Sequence, residues 1–207
     1  MTSTTQIKPV ESRAPGRPRE FELDEALDQA ILVFSDRGYH ATSIADLKSA
    51  MGLAAGSLYK AFRNKRDIFL AALDRYKFLR DQALRDVIGT DGSGRTRLTR
   101  YLGHYANASH GETGRKGCLV VGSAVELALF DDEAASRIEG SMTRNEAMIA
   151  GLIREGQADG SVSPDVDPEA TARLMLCITQ GLKVVGRTGA ERDLTQRAVT
   201  AALKLLD

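Results

Sequence analysis

The sequence predicts an all-α protein, and three features carry that reading. Apolar residues recur at helical spacing through almost the whole chain after residue 20, capping residues open these stretches, and glycines close them. No convincing strand alternates apolar and polar residues, and no internal repeat is present.

Residues 1–20 hold Pro9, Pro15, Gly16 and Pro18 among basic residues, with no apolar periodicity, and are expected to form a flexible basic arm. Leu27, Ala30, Ile31 and Phe34 then mark a first helix that stops at Gly38. Thr42 and Ser43 offer N-caps to a short second helix. Its capping-box acid is Asp46, its apolar face is Ile44, Leu47, Ala50 and Met51, and it ends at Gly52. A third helix over Ala54 to Phe62 pairs Leu58 with Phe62, and Asn64 caps a long fourth with Asp67 in its first turn. Ile68, Ala72, Leu79, Ala83 and Val87 are expected on the buried face of that fourth helix, which stops at the Gly89/Gly92/Gly94 cluster.

Leu98, Tyr101, Leu102 and Tyr105 predict the next helix, followed by a polar loop from His110 to Gly117 and a helical apolar run from Cys118 to Phe130. Asp131, Asp132 and Glu133 suit the positive end of a further helix through Ile138, Met142, Ile149 and Leu152, broken at Gly160-Ser161. Asp167-Pro168-Glu169 opens a helix, apolar nearly all round, that reaches about Gly186. The last helix runs from about Glu191 to Leu206, with Leu194, Ala198, Ala202 and Leu205 on one stripe and Val199, Leu203 and Leu206 beside it.

At 207 residues and 43% apolar composition, the chain can bury one sizeable core or two small ones. It shows neither a membrane span nor a signal peptide, which leads to an expectation of a cytoplasmic protein. Cys118 and Cys177 are read as reduced thiols. Lys and Arg total 28 against 28 Asp and Glu, so any attraction for nucleic acid must come from a local surface. The arm and residues 42–66 supply one, since Lys48, Lys60, Arg63, Lys65 and Arg66 face only Asp46.

Helix, tight turn, helix over residues 42–62 is the pattern of a helix-turn-helix, in which the second helix projects its side chains into the major groove. Ile44, Leu47, Met51, Leu53, Leu58 and Phe62 can pack inward, which leaves Ala55, Gly56, Ser57, Tyr59 and Lys60 outward. Three pieces occur in order: Gly16-Arg17-Pro18-Arg19, then F-S-D-R-G-Y-H-A-T-S-I-A-D-L, then M-G-L-A-A-G-S-L-Y-K-A-F-R-N-K-R-D-I-F. Together they make residues 16–76 resemble the TetR family of bacterial transcriptional regulators.

That resemblance implies an arm over 1–20, a DNA-binding head over 21–66 and a helical ligand-binding and dimerisation domain over 67–207. It implies phosphate contacts from Thr42, Ser43, Tyr59 and Lys65, and base contacts from Lys60 and Ser57, with Ala55 and Gly56 allowing close approach. Ala54-Ala55 stand where many relatives carry a polar or basic residue, which puts weight on Lys60 and on Arg17 and Arg19 in the minor groove. Tyr59 also fits a core role, and the basic run also fits an ordinary solvated face.

In the second domain, Tyr101, His104, Tyr105, Cys118, Glu126, Met142 and Met148 are candidates to line a ligand cavity, though each also fits as a packed or surface residue. Cys118 follows Arg115-Lys116-Gly117 at a helix start, where positive charge lowers a thiol pKa, and so is a candidate sensor of electrophiles. The last two helices, residues 168–206, suggest a homodimer. The expected function is a repressor that binds an inverted-repeat operator and is released by a small-molecule or electrophile inducer. No metal cluster, phosphate loop or catalytic constellation is present, and no cofactor is implied. The rival readings are a helical adaptor for protein partners or a small enzyme on the same scaffold.

Overall fold

A computed structural model describes residues 17–207. Among the described residues are ten α-helices and no strand: α1 (Arg17–Arg37), α2 (Ile44–Met51), α3 (Ala55–Ala61), α4 (Lys65–Ile88), α5 (Gly94–Asn107), α6 (Gly111–Arg115), α7 (Leu119–Glu126), α8 (Asp132–Ala158), α9 (Pro168–Arg187) and α10 (Arg192–Leu203). A single 3-10 turn, Lys204–Leu206, ends the chain. The expected all-α class is what folds.

The local signals act as expected at the caps. Ser43 and Asp46 form a reciprocal capping box on α2, Asn64 accepts the Asp67 amide at the head of α4, and Asp167 caps α9 with Pro168 in its first turn. Gly38 and Gly52 take left-handed conformations where α1 and α2 end.

Four expectations need correction. The helix α1 begins at Arg17, inside the segment expected as arm; Pro18 falls in its first turn, where a missing N–H costs nothing. The loop from His110 to Gly117 contains the short helix α6. The apolar run ends as a helix at Glu126, and Val125, Leu129 and Phe130 are exposed. On α4, Leu79 and Val87 face solvent, while Leu73, Leu84 and Ile88 are buried. Stepping inward along the helix from Leu73 to Leu84 gives Lys77 and Arg80, so the core-facing stripe turns polar midway, and an apolar count slips onto the wrong face.

The helices enclose two apolar cores. The first joins α1, α2, α3 and the start of α4 to Cys118, Leu119 and Val120 of the α7 region and to Ala134 and Ile138 of α8. Phe34 and Phe69 meet edge to face at 5.3 Å in its centre. The second gathers the end of α4 with α5, α8, α9 and α10 around Tyr101, Tyr105, Ile149 and Met175. Met142 packs against both. The head is therefore not walled off at residue 66: its apolar core continues into α7 and α8. Ion pairs reinforce the junction, with Arg75 of α4 holding Asp24 and Asp28 of α1 at 2.6 and 2.7 Å.

Candidate nucleic-acid interface and regulatory joint

The turn Gly52-Leu53-Ala54 sets α3 against α2. Leu47, Met51, Leu58 and Phe62 are buried at the contact, each contributing roughly 1.5–3 kcal/mol of apolar burial. Because these residues fix one side of α3, the other side must face outward. Gly56, Ser57, Tyr59 and Lys60 are all exposed, with Tyr59 at 60%. Tyr59 is thus no core aromatic. The geometry leaves a hydroxyl, a phenol and an ammonium on one exposed helical edge, a set able to meet phosphates and base edges together. The side chains of Arg17, Arg19 and Ala55, like the arm over 1–16, lie outside the described residues.

Three sequence-predicted contacts look different in three dimensions. The Thr42 side chain is buried, and its hydroxyl donates to the Gly38 carbonyl at 2.6 Å, so it is not offered to a phosphate. Ser43 is exposed, yet its hydroxyl donates to Asp46 at 2.6 Å within the capping box. The Lys65 ammonium donates to the carbonyls of Tyr39 and Thr42, both at 2.9 Å, and lies 4.3 Å from the centre of the Tyr39 ring. It pins the α1–α2 turn to α4. The basic face is correspondingly thinner than the sequence count: Arg63 pairs with Asp67, and Arg66 with Asp131 and Glu133. The Arg66 guanidinium holds the Asp131 carboxyl down to about 2.

Of the residues expected to line a ligand cavity, Tyr101 and Tyr105 are fully buried with ring centres 5.0 Å apart, and half-buried His104 meets Tyr105 edge on at 5.8 Å. Met148 packs only into the second core. Cys118 and Glu126 alone among the seven line the cavity described next. Burial pushes the Cys118 thiol up, but the Arg80 guanidinium 3.5 Å from its sulfur and a Tyr76 hydroxyl outweigh this and leave it below the ordinary thiol value. The same guanidinium donates to the Tyr105 hydroxyl at 2.9 Å.

A cavity of about 270 Å³ lies where α1, α7 and α9 meet. Its walls include Phe34 and Gly38 from the head and Leu119, Val121 and Val184 from the body. Two side chains of the body cross this joint and grip the end of α1 from opposite polarities. The Glu126 carboxylate accepts the backbone N–H of Tyr39 at 2.7 Å and, more weakly, that of His40 at 3.4 Å. Arg187 donates to the carbonyls of Ser35 and Asp36, both at 2.7 Å, which are among the last carbonyls of α1. Gly38 makes the approach possible: its φ is +78°, and a Cβ there would lie 2.0 Å from the Glu126 carboxylate.

Sequence reasoning named Glu126 for a different role and missed Arg80, Lys183 and Arg187. Arg80 leaves a readable mark, a cation on the core-facing register of α4. Lys183 and Arg187 sit on an apolar helix four residues apart, a spacing that puts both on one face.

Comparison with known proteins agrees with this architecture. Residues 26–72 match the family model for bacterial regulatory proteins of the tetR family, and residues 94–202 match a tetracyclin repressor-like C-terminal domain. The HTH-type transcriptional repressor ComR of Escherichia coli is 30% identical over 195 residues, covering 93% of this chain and 92% of that one. The transcriptional regulator AcuR of Cereibacter sphaeroides is 33% identical over 172 residues, covering 80% and 76%. Among solved structures, a cysteine mutant of the TetR family regulator CifR complexed with 26-base-pair operator DNA superposes with a TM-score of 0.78 at 28% identity, covering 94% of this chain and 98% of that one. With both family models matched in order and a helix-turn-helix whose second helix bares its outer edge, the chain belongs to the TetR family of bacterial regulatory proteins.

Proposed function

We propose that the protein is a transcriptional repressor that acts in the cytoplasm as a homodimer on an inverted-repeat operator and is released by a small-molecule inducer. The observation that carries this reading is the exposed edge of α3, where Ser57, Tyr59 and Lys60 project together from a buried three-helix scaffold. Lys60 reads a guanine edge with Ser57 beside it as a second base contact, Tyr59 holds a phosphate, and Ser43 adds a phosphate contact at the head of α2. Arg17 and Arg19 add contacts from the amino-terminal side, and Gly56 with Ala55 lets the backbone come close.

Dimerisation uses α9 and α10, residues 168–206. In support, Leu174, Val184, Val185 and Leu194 are exposed on these two helices, an apolar surface that a two-fold helical bundle would cover. Among the described residues no helix is long and apolar enough to cross a membrane.

Cys118 is the proposed point at which an electrophilic inducer is sensed. The Arg80 guanidinium beside its sulfur favours the thiolate, and the residue opens onto the cavity at the head–body joint. A carbon electrophile there forms an S–C bond to the thiolate, and the displaced or opened group leaves as an anion that takes a proton from water.

The test is a mobility-shift experiment with fragments flanking the protein's own gene. Specific retardation that falls steeply with salt is expected. Absence of any retarded fragment at low salt without ligand rejects the repressor reading and favours the helical adaptor or small enzyme.

A further inference from the structure

The cavity between α1, α7 and α9 has an unusual charge balance. Lys183 and Arg187 line it from one face of α9, and neither pairs with a carboxylate among the described residues. Lys183 donates to the Ala108 carbonyl at 2.9 Å, and Arg187 donates only to the carbonyls of Ser35, Asp36 and Lys116. Arg37, also on the wall, is paired with Asp46 at 2.9 Å, and behind Cys118 stands a further cation, Arg80, which donates to a phenol and a thiol. The one carboxylate on the cavity wall, Glu126, is committed to the Tyr39 and His40 amides. Lys183 is half-buried and held by one neutral carbonyl, whose dipole replaces its lost hydration only in part, while Arg187 is exposed and bonded only to carbonyls. Burial accordingly pushes the Lys183 ammonium down to about 8.

Phe34, Leu119, Val121, Val125 and Val184 give the wall an apolar part, and Ser35, Tyr39 and Ser123 add neutral polar groups. A volume of about 270 Å³ suits a compact molecule rather than a drug-sized one. Two cations on the α9 side, beside an apolar patch and neutral polar groups, describe the complement of a short organic acid.

We propose that this joint is an effector site for a small organic carboxylate, which seats its anion on Lys183 and draws Arg187 away from the end of α1. A carboxylate is a stronger acceptor for a guanidinium than a backbone carbonyl, since both partners are charged and the bond is bidentate. Binding therefore sets the ligand and the Ser35 and Asp36 carbonyls in competition for one side chain. When Arg187 turns to the ligand, the last turn of α1 loses its grip from α9, and the head is free to leave the spacing that fits DNA. The occupant differs from an electrophile at Cys118 in needing no reactive carbon. The coupling to DNA rests on the repressor reading; the binding site itself does not.

The experiment measures the two apart. Thermal melting of the protein alone is followed in butyrate, hexanoate and benzoate, each against its neutral amide, and operator binding is followed separately by fluorescence anisotropy. At least one carboxylate is expected to raise the melting temperature where its amide does not, and to weaken operator binding about tenfold at saturation, a typical coupling for linked sites. Lys183→Met, which leaves the Arg187 grip in place, should abolish the carboxylate-specific rise. Arg187→Met should leave a weaker rise but no further loss of operator affinity on adding ligand. Stabilisation that is equal for acid and amide, absent for all three acids, or unchanged in Lys183→Met overturns the site. Stabilisation without operator release overturns the coupling. A protein that binds no operator at all fails the repressor reading while the melting result still decides the site.

Discussion

The Glu126 carboxylate of α7 accepts the backbone N–H of Tyr39 at 2.7 Å, so a side chain of the body holds the turn that leads into the helix-turn-helix. A carboxylate bonded to backbone amides is a charge-assisted contact, and its loss leaves two amides unmet in a partly closed joint. Glu126→Ala should lower stability by about 1.5–3 kcal/mol in urea unfolding. It should also weaken operator binding, because the head loses its fixed orientation. Unfolding and binding curves that match those of the unaltered protein would show the contact to be idle.

Gly38 allows that contact. Gly38→Ala places a methyl group 2.0 Å from the Glu126 carboxylate at a φ of +78°. The expected loss is about 1–3 kcal/mol from the backbone alone, with displacement of Glu126 added to it. In the Glu126→Ala background the added part should shrink, which a double-mutant cycle measures.

Lys60 and Thr42 separate reading from scaffolding. Lys60→Ala removes an exposed ammonium and should cost specific operator binding about 1–3 kcal/mol while leaving unfolding unchanged. Thr42→Val removes a buried hydroxyl bonded to the Gly38 carbonyl, so it should cost about 1 kcal/mol of stability, with any effect on DNA following from that. A Thr42→Val protein of full stability with weakened salt-dependent binding would return Thr42 to the phosphate-binding role its sequence position suggests.

Arg66 and Asp131 give a pH signature. The Arg66 guanidinium holds the folded Asp131 carboxyl at about 2, below its unfolded value of about 3.9. A depressed acid adds stability that is present above the unfolded value and lost as pH falls through the folded one. Asp131→Asn should therefore be less stable than the parent at neutral pH, with the gap closing from about pH 4 downward as the parent carboxyl protonates. A gap that persists unchanged at pH 3 would assign the loss to packing.

Arg80 sets the reactivity of Cys118. In a Cys177→Ser background, alkylation of Cys118 by iodoacetamide should begin below the ordinary thiol range, and Arg80→Met should move its pH midpoint upward. A midpoint indifferent to Arg80 would remove the thiolate argument for electrophile sensing.

What the sequence by itself determined is local. The capping box of Ser43 and Asp46, the Asn64 and Asp167 caps, the stops at Gly38 and Gly52, and the outward edge of α3 all follow from interactions within a few residues of one another. Short-range hydrogen bonds and helical periodicity write themselves into the order of residues. Tertiary structure decided which polar groups were already spoken for. Lys65 and Thr42 look like phosphate ligands until carbonyls 23 and 4 residues away are brought against them. The joint was legible least of all: Arg187 meets Ser35 across 152 positions of chain, and Glu126 meets Tyr39 across 87. Such pairings depend on how α1, α7 and α9 pack, and packing is settled by the whole apolar core rather than by any one segment.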